Sequence, residues 1–190
     1  MNLGQMLLVV AGIVLIGIVV LTSNGSLLES TDVMNDSEFG ITAISLATSL
    51  VEEASGKMFD SVIADSTSNQ LTDPSQLSTT LGPEGAEKYR DPSSDFDDFD
   101  DFNNLFLVYK SNNPADTART PGSNWETIVP GIRSKYFVRA QVMYVPWNNL
   151  DGVSATKTWH KKMVVTVTRP QAKPTKADTL VFPAVVSYWN

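Results

Sequence analysis

The chain opens with a long uncharged segment that has no polar face. No charged residue occurs from Met6 to Leu21, and the first basic side chain in the sequence is Lys57. About 20 apolar residues of helix cross a bilayer core, and the stretch from Leu3 to Thr22 reaches that length if Gln5 is tolerated. A single buried strand is not expected at this length. We therefore predict an apolar helix that is buried on all sides, either in lipid or in protein.

A cleaved secretory signal peptide is not indicated by this segment. Such a peptide combines a positively charged start, an apolar run and a cleavage site with small residues. The residues that follow Leu21 read TSNGSLLES and contain no A-x-A-like site. The apolar segment is therefore expected to persist in the working protein.

A second helical segment is expected after a short interruption. The residues SNGS at 23–26 contain Asn24-Gly25, which favours a turn or a loosened helix, so we predict a break there. Helical spacing then resumes, and small or apolar residues fall on one face at steps of three and four. We expect this amphipathic helix to extend to about Ile63 and to pack closely on a sheet through Ala43, Ala47, Leu50, Val51, Ala54, Met58 and Val62.

The remainder of the chain predicts a long loop followed by strands. Residues 64–104 are rich in Ser, Thr, Asp, Pro and Gly and show no clear period. Four strand-like segments follow, at 104–110, 135–147, 156–170 and 178–189, with NNLDG as the turn between the second and third. Pro183 indicates an edge strand or a bulge. The expected fold is α+β, with a long N-terminal helix packed on an antiparallel sheet of about four strands.

Composition excludes several classes of site. The chain has no cysteine and a single histidine, His160, which argues against disulfides, zinc–thiolate sites and a Ser–His catalytic pair. Residues 1–104 contain 17 acidic and three basic side chains, and residues 105–190 contain four acidic and 11 basic ones. This asymmetry indicates either ordinary solvated surface charge or attraction between the two halves, within one molecule or between copies, whereas nucleic acid is not an expected partner. We predict that the protein is not an enzyme.

The most unusual local feature is the acidic stretch SDFDDFDDFNN at 94–104. Three phenylalanines at steps of three are expected to hold it against the folded part of the chain. Crowded carboxylates repel one another, and a hard cation such as calcium would relieve that repulsion, although the EF-hand pattern fails. The alternatives are a solvated acidic loop or a patch that faces a basic neighbour, for which Arg133, Lys135, Lys161 and Lys162 are candidates. The candidate ligands are Asp95, Asp97, Asp98, Asp100 and Asp101.

Together, the uncharged apolar N-terminal segment, the amphipathic helix after it and the β-rich C-terminal region resemble a type IV pilin or pseudopilin. The resemblance in sequence detail is confined to roughly the first 60 residues. Two departures are Gln5, where the family usually has glutamate, and the absence of a proline near position 22. Gln5 still offers a hydrogen-bond acceptor but no charge. The cysteine pair of many pilins is also absent.

The resemblance implies a mature subunit from which a prepilin peptidase has removed a short basic leader, with N-terminal methylation. It implies that the subunit first lies in the inner membrane and then polymerises with copies of itself, through the pilus assembly machinery, into an extracellular filament. Glycines in this region often lose helicity on assembly, and the matching candidates are Gly12, Gly17 and Gly25. Pseudopilins without cysteine often stabilise the folded region with calcium. The expected filament-core or membrane residues are Met1, Gln5, Met6, Leu7, Val10, Ile13, Val14, Ile16, Ile18, Val19 and Leu21.

The expected organisation has four parts: an apolar membrane or filament-core segment at 1–26, an amphipathic helix at 27–63, a long loop with the acidic stretch at 64–104, and a β-sheet region at 105–190. The expected function is that of a structural subunit of a pilus-like filament. The alternative is a single-pass, membrane-anchored extracytoplasmic binding or secretion-associated domain, with calcium as a candidate ligand.

Overall fold

The computed structural model describes residues 2–64, 71–112, 119–170 and 178–188. The chain divides into two compact units, Met1–Ile41 and Thr42–Asn190, and the second is called the head unit below. The architecture is α+β, as expected, with one long N-terminal helix and a five-stranded, mostly antiparallel sheet.

The first unit is a single stretch of helix α1, which begins at Leu3 and continues to Ser55. The predicted break at 23–26 is wrong, because the helix passes through Asn24 and Gly25 without interruption. Each residue added to an existing helix gains a backbone hydrogen bond, which outweighs the cost of about 1 kcal/mol for a helical glycine. Thr22 on one side of the glycine and Thr31 on the other donate their hydroxyls to carbonyls of the preceding turn, at 2.9–3.0 Å.

Helix α1 ends earlier than the spacing predicts. It stops at Ser55, before Gly56, and a separate short helix, α2, covers Ser61–Ala64. The chain turns between the two helices, and Met58 forms a parallel bridge with Asp98. Met58 is therefore exposed rather than buried, contrary to the expected helix face. The predicted face is confirmed for Ala43, Ala47, Leu50 and Ala54, which are buried. Val51 is only half-buried, and Val62 lies on the separate helix α2.

The sheet has the strand order β2-β1-β3-β4-β5. Its strands are β1 (Phe106–Lys110), β2 (Trp125–Ile128), β3 (Tyr136–Tyr144), β4 (His160–Arg169) and β5 (Asp178–Ser187). Strand β1 pairs with β2 in parallel, and the other pairs are antiparallel. The expected number of four strands is wrong, because β2 has only four residues, too few for a visible alternation.

The alternation predicted for β3 is confirmed. Its residues Tyr136, Val138, Ala140, Val142 and Tyr144 are buried, and Arg139 and Gln141 are exposed. Strand β5 lies at the sheet edge, as Pro183 indicates, and this proline stands opposite Val164. The predicted turn at 148–152 joins β3 to β4.

Residues 71–104 pack against the rest of the head unit, although they contain only two 3₁₀ turns, at Pro74–Gln76 and Asp100–Phe102. Leu71 and Leu77 join Phe59, Ile63 and Tyr144 in one buried cluster. The expectation that phenylalanines hold the acidic stretch in place is confirmed, since Phe96, Phe99 and Phe102 are all buried. This packing carries the neighbouring carboxylates into the interior.

Candidate functional site

The N-terminal segment exposes its apolar side chains on every face. All residues from 2 to 37 are exposed, and Val14 retains 56 % of its accessible surface. Helix α1 contains a window long and apolar enough to cross a membrane, by length and composition alone. Met1 lies outside the described residues; the other predicted core residues all lie on this exposed helix: Gln5, Met6, Leu7, Val10, Ile13, Val14, Ile16, Ile18, Val19 and Leu21.

Exposure of this extent is costly in water. Burying one Val, Leu or Ile side chain stabilises a protein by about 1.5–3 kcal/mol, and the segment contains a dozen such residues within Leu7–Leu21. Among the described residues, no atom outside the adjacent turns of the helix backbone lies within 4 Å of the position that a Cβ would take on Gly12, Gly17 or Gly25, so no described segment packs closely on these glycines. The apolar helix is therefore a membrane anchor, a signal sequence or a surface for association.

The acidic stretch is divided between surface and interior. Asp95 and Asp97 are exposed, whereas Asp98, Asp100 and Asp101 are completely buried. The prediction of a solvated acidic loop is therefore wrong for these three residues, because the phenylalanines that alternate with the acidic pairs are buried in the core. Asp95 lies at the surface and accepts a hydrogen bond from Lys57 Nζ at 3.3 Å.

Asp98 and Asp101 hold each other in place through the backbone. Asp98 Oδ1 accepts hydrogen bonds from the backbone N–H groups of Asp100 and Asp101, at 2.8 and 3.1 Å. Asp101 Oδ2 accepts from the N–H groups of Asp97 and Asp98, at 2.9 and 3.1 Å. One oxygen of each carboxylate is thus saturated by the turn itself, and the orientation of the other oxygen is fixed.

A buried ammonium lies beside this turn. Lys161 Nζ on β4 donates to the Phe59 carbonyl at 2.8 Å and to Asp60 Oδ2 at 2.7 Å, and it also contacts Asp100 Oδ1. The three side chains of Lys161, Asp60 and Asp100 have no accessible surface. The ring of Phe59 lies 4.6 Å from the ammonium and screens it from water. Asp60 and Asp100 thereby share one ammonium of the same chain, which balances one of their two charges.

This ion pair shows whether the acidic stretch meets its basic partner within one molecule or on a neighbouring copy. Attraction within one molecule is confirmed for the acidic stretch and β4, since Asp100 contacts Lys161. The prediction that Lys161 faces an acidic neighbour on another subunit is wrong, because this side chain is buried. Lys162, the next residue, lies 2.9 Å from Asp151 of the same chain.

Two further acidic residues, Glu84 and Glu87, lie next to the turn. One carboxylate oxygen from each of Glu84, Asp98 and Asp101 lies within 4.8 Å of the others, and the same holds for Glu87, Asp97 and Asp101. Asp101 belongs to both groups. The backbone N–H of Glu84 donates to Glu87 Oε2 at 3.0 Å, which holds the two glutamates together.

Burial raises the pKa values of the carboxyl groups of Asp98 and Asp101 at this turn. Burial raises the pKa of Asp98 to about 9, and the nearby carboxylates of Asp100 and Asp101 act in the same direction. Burial also raises the pKa of Asp101 to about 7, against the hydrogen bonds from the backbone N–H groups of Asp98 and Asp97. Burial favours a higher pKa for Asp60 as well, but the charge of Lys161 and the hydrogen bonds from Lys161 and Ser78 lower its pKa overall.

Sequence reasoning missed three residues of this site, Asp60, Glu84 and Glu87, and it named Lys161 as a candidate basic neighbour without predicting its burial. A signal existed for Lys161, because the alternation of β4 places it on the same face as the buried Met163, Val165 and Val167. No periodic sequence pattern places Glu84 or Glu87 next to the acidic stretch. Asp60 lies 101 residues from its lysine partner.

Comparison with known proteins adds no relative. No protein-family model, curated protein or solved structure matches the chain. The resemblance to type IV pilins therefore stays a prediction, and the residues described above are the basis for a function.

Proposed function

We propose that this protein is a structural subunit of an extracellular pilus-like filament. The subunit is anchored in the membrane by the N-terminal part of α1 before assembly, and the same apolar surface becomes the contact between subunits in the filament. Its partners are other copies of the chain, the inner membrane and, by resemblance, a prepilin peptidase and the pilus assembly machinery. Its role is structural and not catalytic.

The observation that carries this proposal is the exposure of an apolar helix that belongs to a compact unit separate from the head unit. The window is buried to 0 % by the described part of the chain, so no described segment covers it. Lipid covers such a helix in a monomer, and neighbouring helices cover it in an open polymer. Repeated contacts between unlike surfaces that do not close into a ring generate a filament.

The second candidate is a single-pass, membrane-anchored extracytoplasmic domain with a binding or secretion-associated role. It is supported by the same helix, whose length and composition suffice for one membrane crossing. The two functions differ in whether subunits associate after they leave the membrane.

Substitutions at Val14 separate these functions. The full chain is produced in cells that assemble pili, and membranes and shed material are examined by immunoblotting and negative-stain electron microscopy. We expect filaments from the wild type and from the control Val14→Leu. We expect none from Val14→Asp, because an unpaired charge buried among apolar helices costs several kcal/mol.

Normal filament yield from Val14→Asp would show that the segment is not the assembly surface. Wild-type protein that is found only in membranes, as a monomer and without filaments, would support the second candidate and contradict the first.

A further inference from the structure

Three buried carboxylate oxygens among the described residues of the head unit have no hydrogen-bond partner. Asp98 Oδ2, Asp101 Oδ1 and Glu84 Oε2 have almost no accessible surface and accept no hydrogen bond within the described part of the chain. A buried carboxylate oxygen without a partner loses its hydration and gains nothing in return. Native proteins rarely leave several such atoms together, so this group calls for a ligand.

The three residues that carry these atoms also converge. Glu84, Asp98 and Asp101 are the residues that bring one carboxylate oxygen each to within 4.8 Å of the others. The aspartates are completely buried, and the glutamate is partly buried. Convergence and the lack of partners are separate observations, and they select the same residues.

The lysine in this region does not supply the missing charge. An ammonium has three donors, and Lys161 directs them to the Phe59 carbonyl, Asp60 and Asp100. Lys161 therefore serves Asp60 and Asp100 as a shared partner, and its donors are used up there. Asp98 and Asp101 belong to a second group, in which the hydrogen bonds that orient the carboxylates come from backbone N–H groups.

We propose that Glu84, Asp98 and Asp101 bind one calcium ion in the head unit. Donor sets made only of oxygen select hard cations, and Ca²⁺ accepts six to eight oxygens in flexible geometry, whereas Mg²⁺ requires a near-ideal octahedron and retains its waters. Glu87 and Asp97 form the second convergent group around Asp101 and supply further oxygens. Asp101 also borders a cavity of about 360 Å³.

This site differs from the five aspartates expected from the sequence. Asp100 forms an ion pair with Lys161, and Asp95 accepts hydrogen bonds from Lys57 Nζ and from the backbone N–H of Arg90. Glu84 replaces them, although it stands 11 positions before Asp95. The ion would link the segment around Glu84 to the turn at Asp98–Asp101, and this role does not depend on whether the protein forms filaments.

The test uses the full chain in detergent after removal of divalent cations. Equilibrium dialysis with ⁴⁵Ca²⁺ measures stoichiometry and affinity, and near-ultraviolet circular dichroism measures the melting temperature with calcium or with excess EGTA. We expect one ion per chain. We expect the melting temperature to rise by about 5 °C or more at a hundredfold excess of free calcium over Kd.

Three variants make the assignment specific. Glu84→Gln and Asp98→Asn each keep the side-chain shape and remove a ligand charge, so affinity should fall about tenfold or more. Asp95→Asn removes a charge from the same stretch but outside the proposed site, so affinity should stay within about twofold. Glu84 is only partly buried, which makes Glu84→Gln the variant that best preserves the fold.

An absence of calcium binding by the wild type at millimolar concentration would overturn the proposal, as would identical melting curves with calcium and with EGTA. Equal loss of affinity in Asp95→Asn and Glu84→Gln would overturn the assignment to these three ligands.

Discussion

The ammonium of Lys161 lies 2.7 Å from Asp60 Oδ2, and both side chains are completely buried. Asp60 stands between α1 and α2, and Lys161 is the second residue of β4, so one ion pair connects the end of the long helix to the sheet. Asp60 is also the acceptor for the Ser78 N–H and hydroxyl, both at 2.9 Å. Three parts of the head unit therefore meet at this carboxylate.

Removing the lysine should destabilise the head unit strongly. Lys161→Met leaves Asp60 and Asp100 buried without a positive charge, and loss of one partner of a buried pair costs about 3–5 kcal/mol. The neighbouring Lys162→Met is the control, because its partner Asp151 is 97 % exposed and such pairs contribute about 0–1 kcal/mol. Urea unfolding of the full chain in detergent, followed by tryptophan fluorescence, measures both. Equal losses in the two variants would contradict the proposed importance of this ion pair.

The small-residue face of α1 should not tolerate enlargement. Ala47 has no accessible surface, and a leucine there must displace its neighbours, at a cost of about 1–3 kcal/mol. Ser49→Leu places the same side chain on the exposed face of the same helix and serves as the control. We expect a lower urea midpoint for Ala47→Leu alone. A midpoint unchanged by Ala47→Leu would show that the packing at this face is loose.

Glu126 should make the head unit sensitive to acid. Burial acts upward on its pKa, but hydrogen bonds from Lys110, the Thr120 N–H and Ser123 lower the pKa from 4.5 to about 2. A carboxylate whose pKa is lower in the folded state stabilises the fold above its unfolded pKa, and the effect is lost as pH falls through the folded pKa. The contribution of Glu126 is therefore complete above about pH 5 and disappears towards pH 2.

The variant Glu126→Gln isolates this contribution. Its free energy of unfolding should lie below that of the wild type at pH 7, by about 1–3 kcal/mol for hydrogen bonds to a charged group. The difference should shrink steadily between about pH 4.5 and pH 2. A difference that is constant over this range would show that the ionised form of Glu126 is not what stabilises the fold.

Local patterns in the sequence predict much of the fold. The alternation from Tyr136 to Tyr144 identifies β3, and the spacing of Ala43, Ala47 and Leu50 identifies the buried face of α1. These features are visible because period and burial coincide within one element. Strand β2 escapes detection because it is short and is defined by its parallel pairing with β1.

The candidate site is less accessible to sequence reasoning. The acidic stretch stands out by composition, but burial of Asp98 and Asp101 depends on tertiary packing of Phe99 between them and of Phe96 and Phe102 on either side. Glu84 lies in a segment without helix or strand, and only the tertiary course of that segment brings it next to Asp98 and Asp101. The partnership of Asp60 with Lys161 closes a loop of 101 residues, which no local pattern encodes.

The central claim is that the apolar part of α1 is shielded from water in the working protein, and thiol labelling tests it directly. The chain has no cysteine, so a single one can be introduced at Val14 and, as a control, at the exposed Asn148 between β3 and β4. Isolated membranes and isolated filaments are treated with a water-soluble maleimide, and labelling is compared with that of denatured protein. We predict that Val14→Cys is protected until denaturation, whereas Asn148→Cys reacts fully throughout. Labelling of Val14→Cys as rapid as that of Asn148→Cys would show that the helix faces water and would contradict the account.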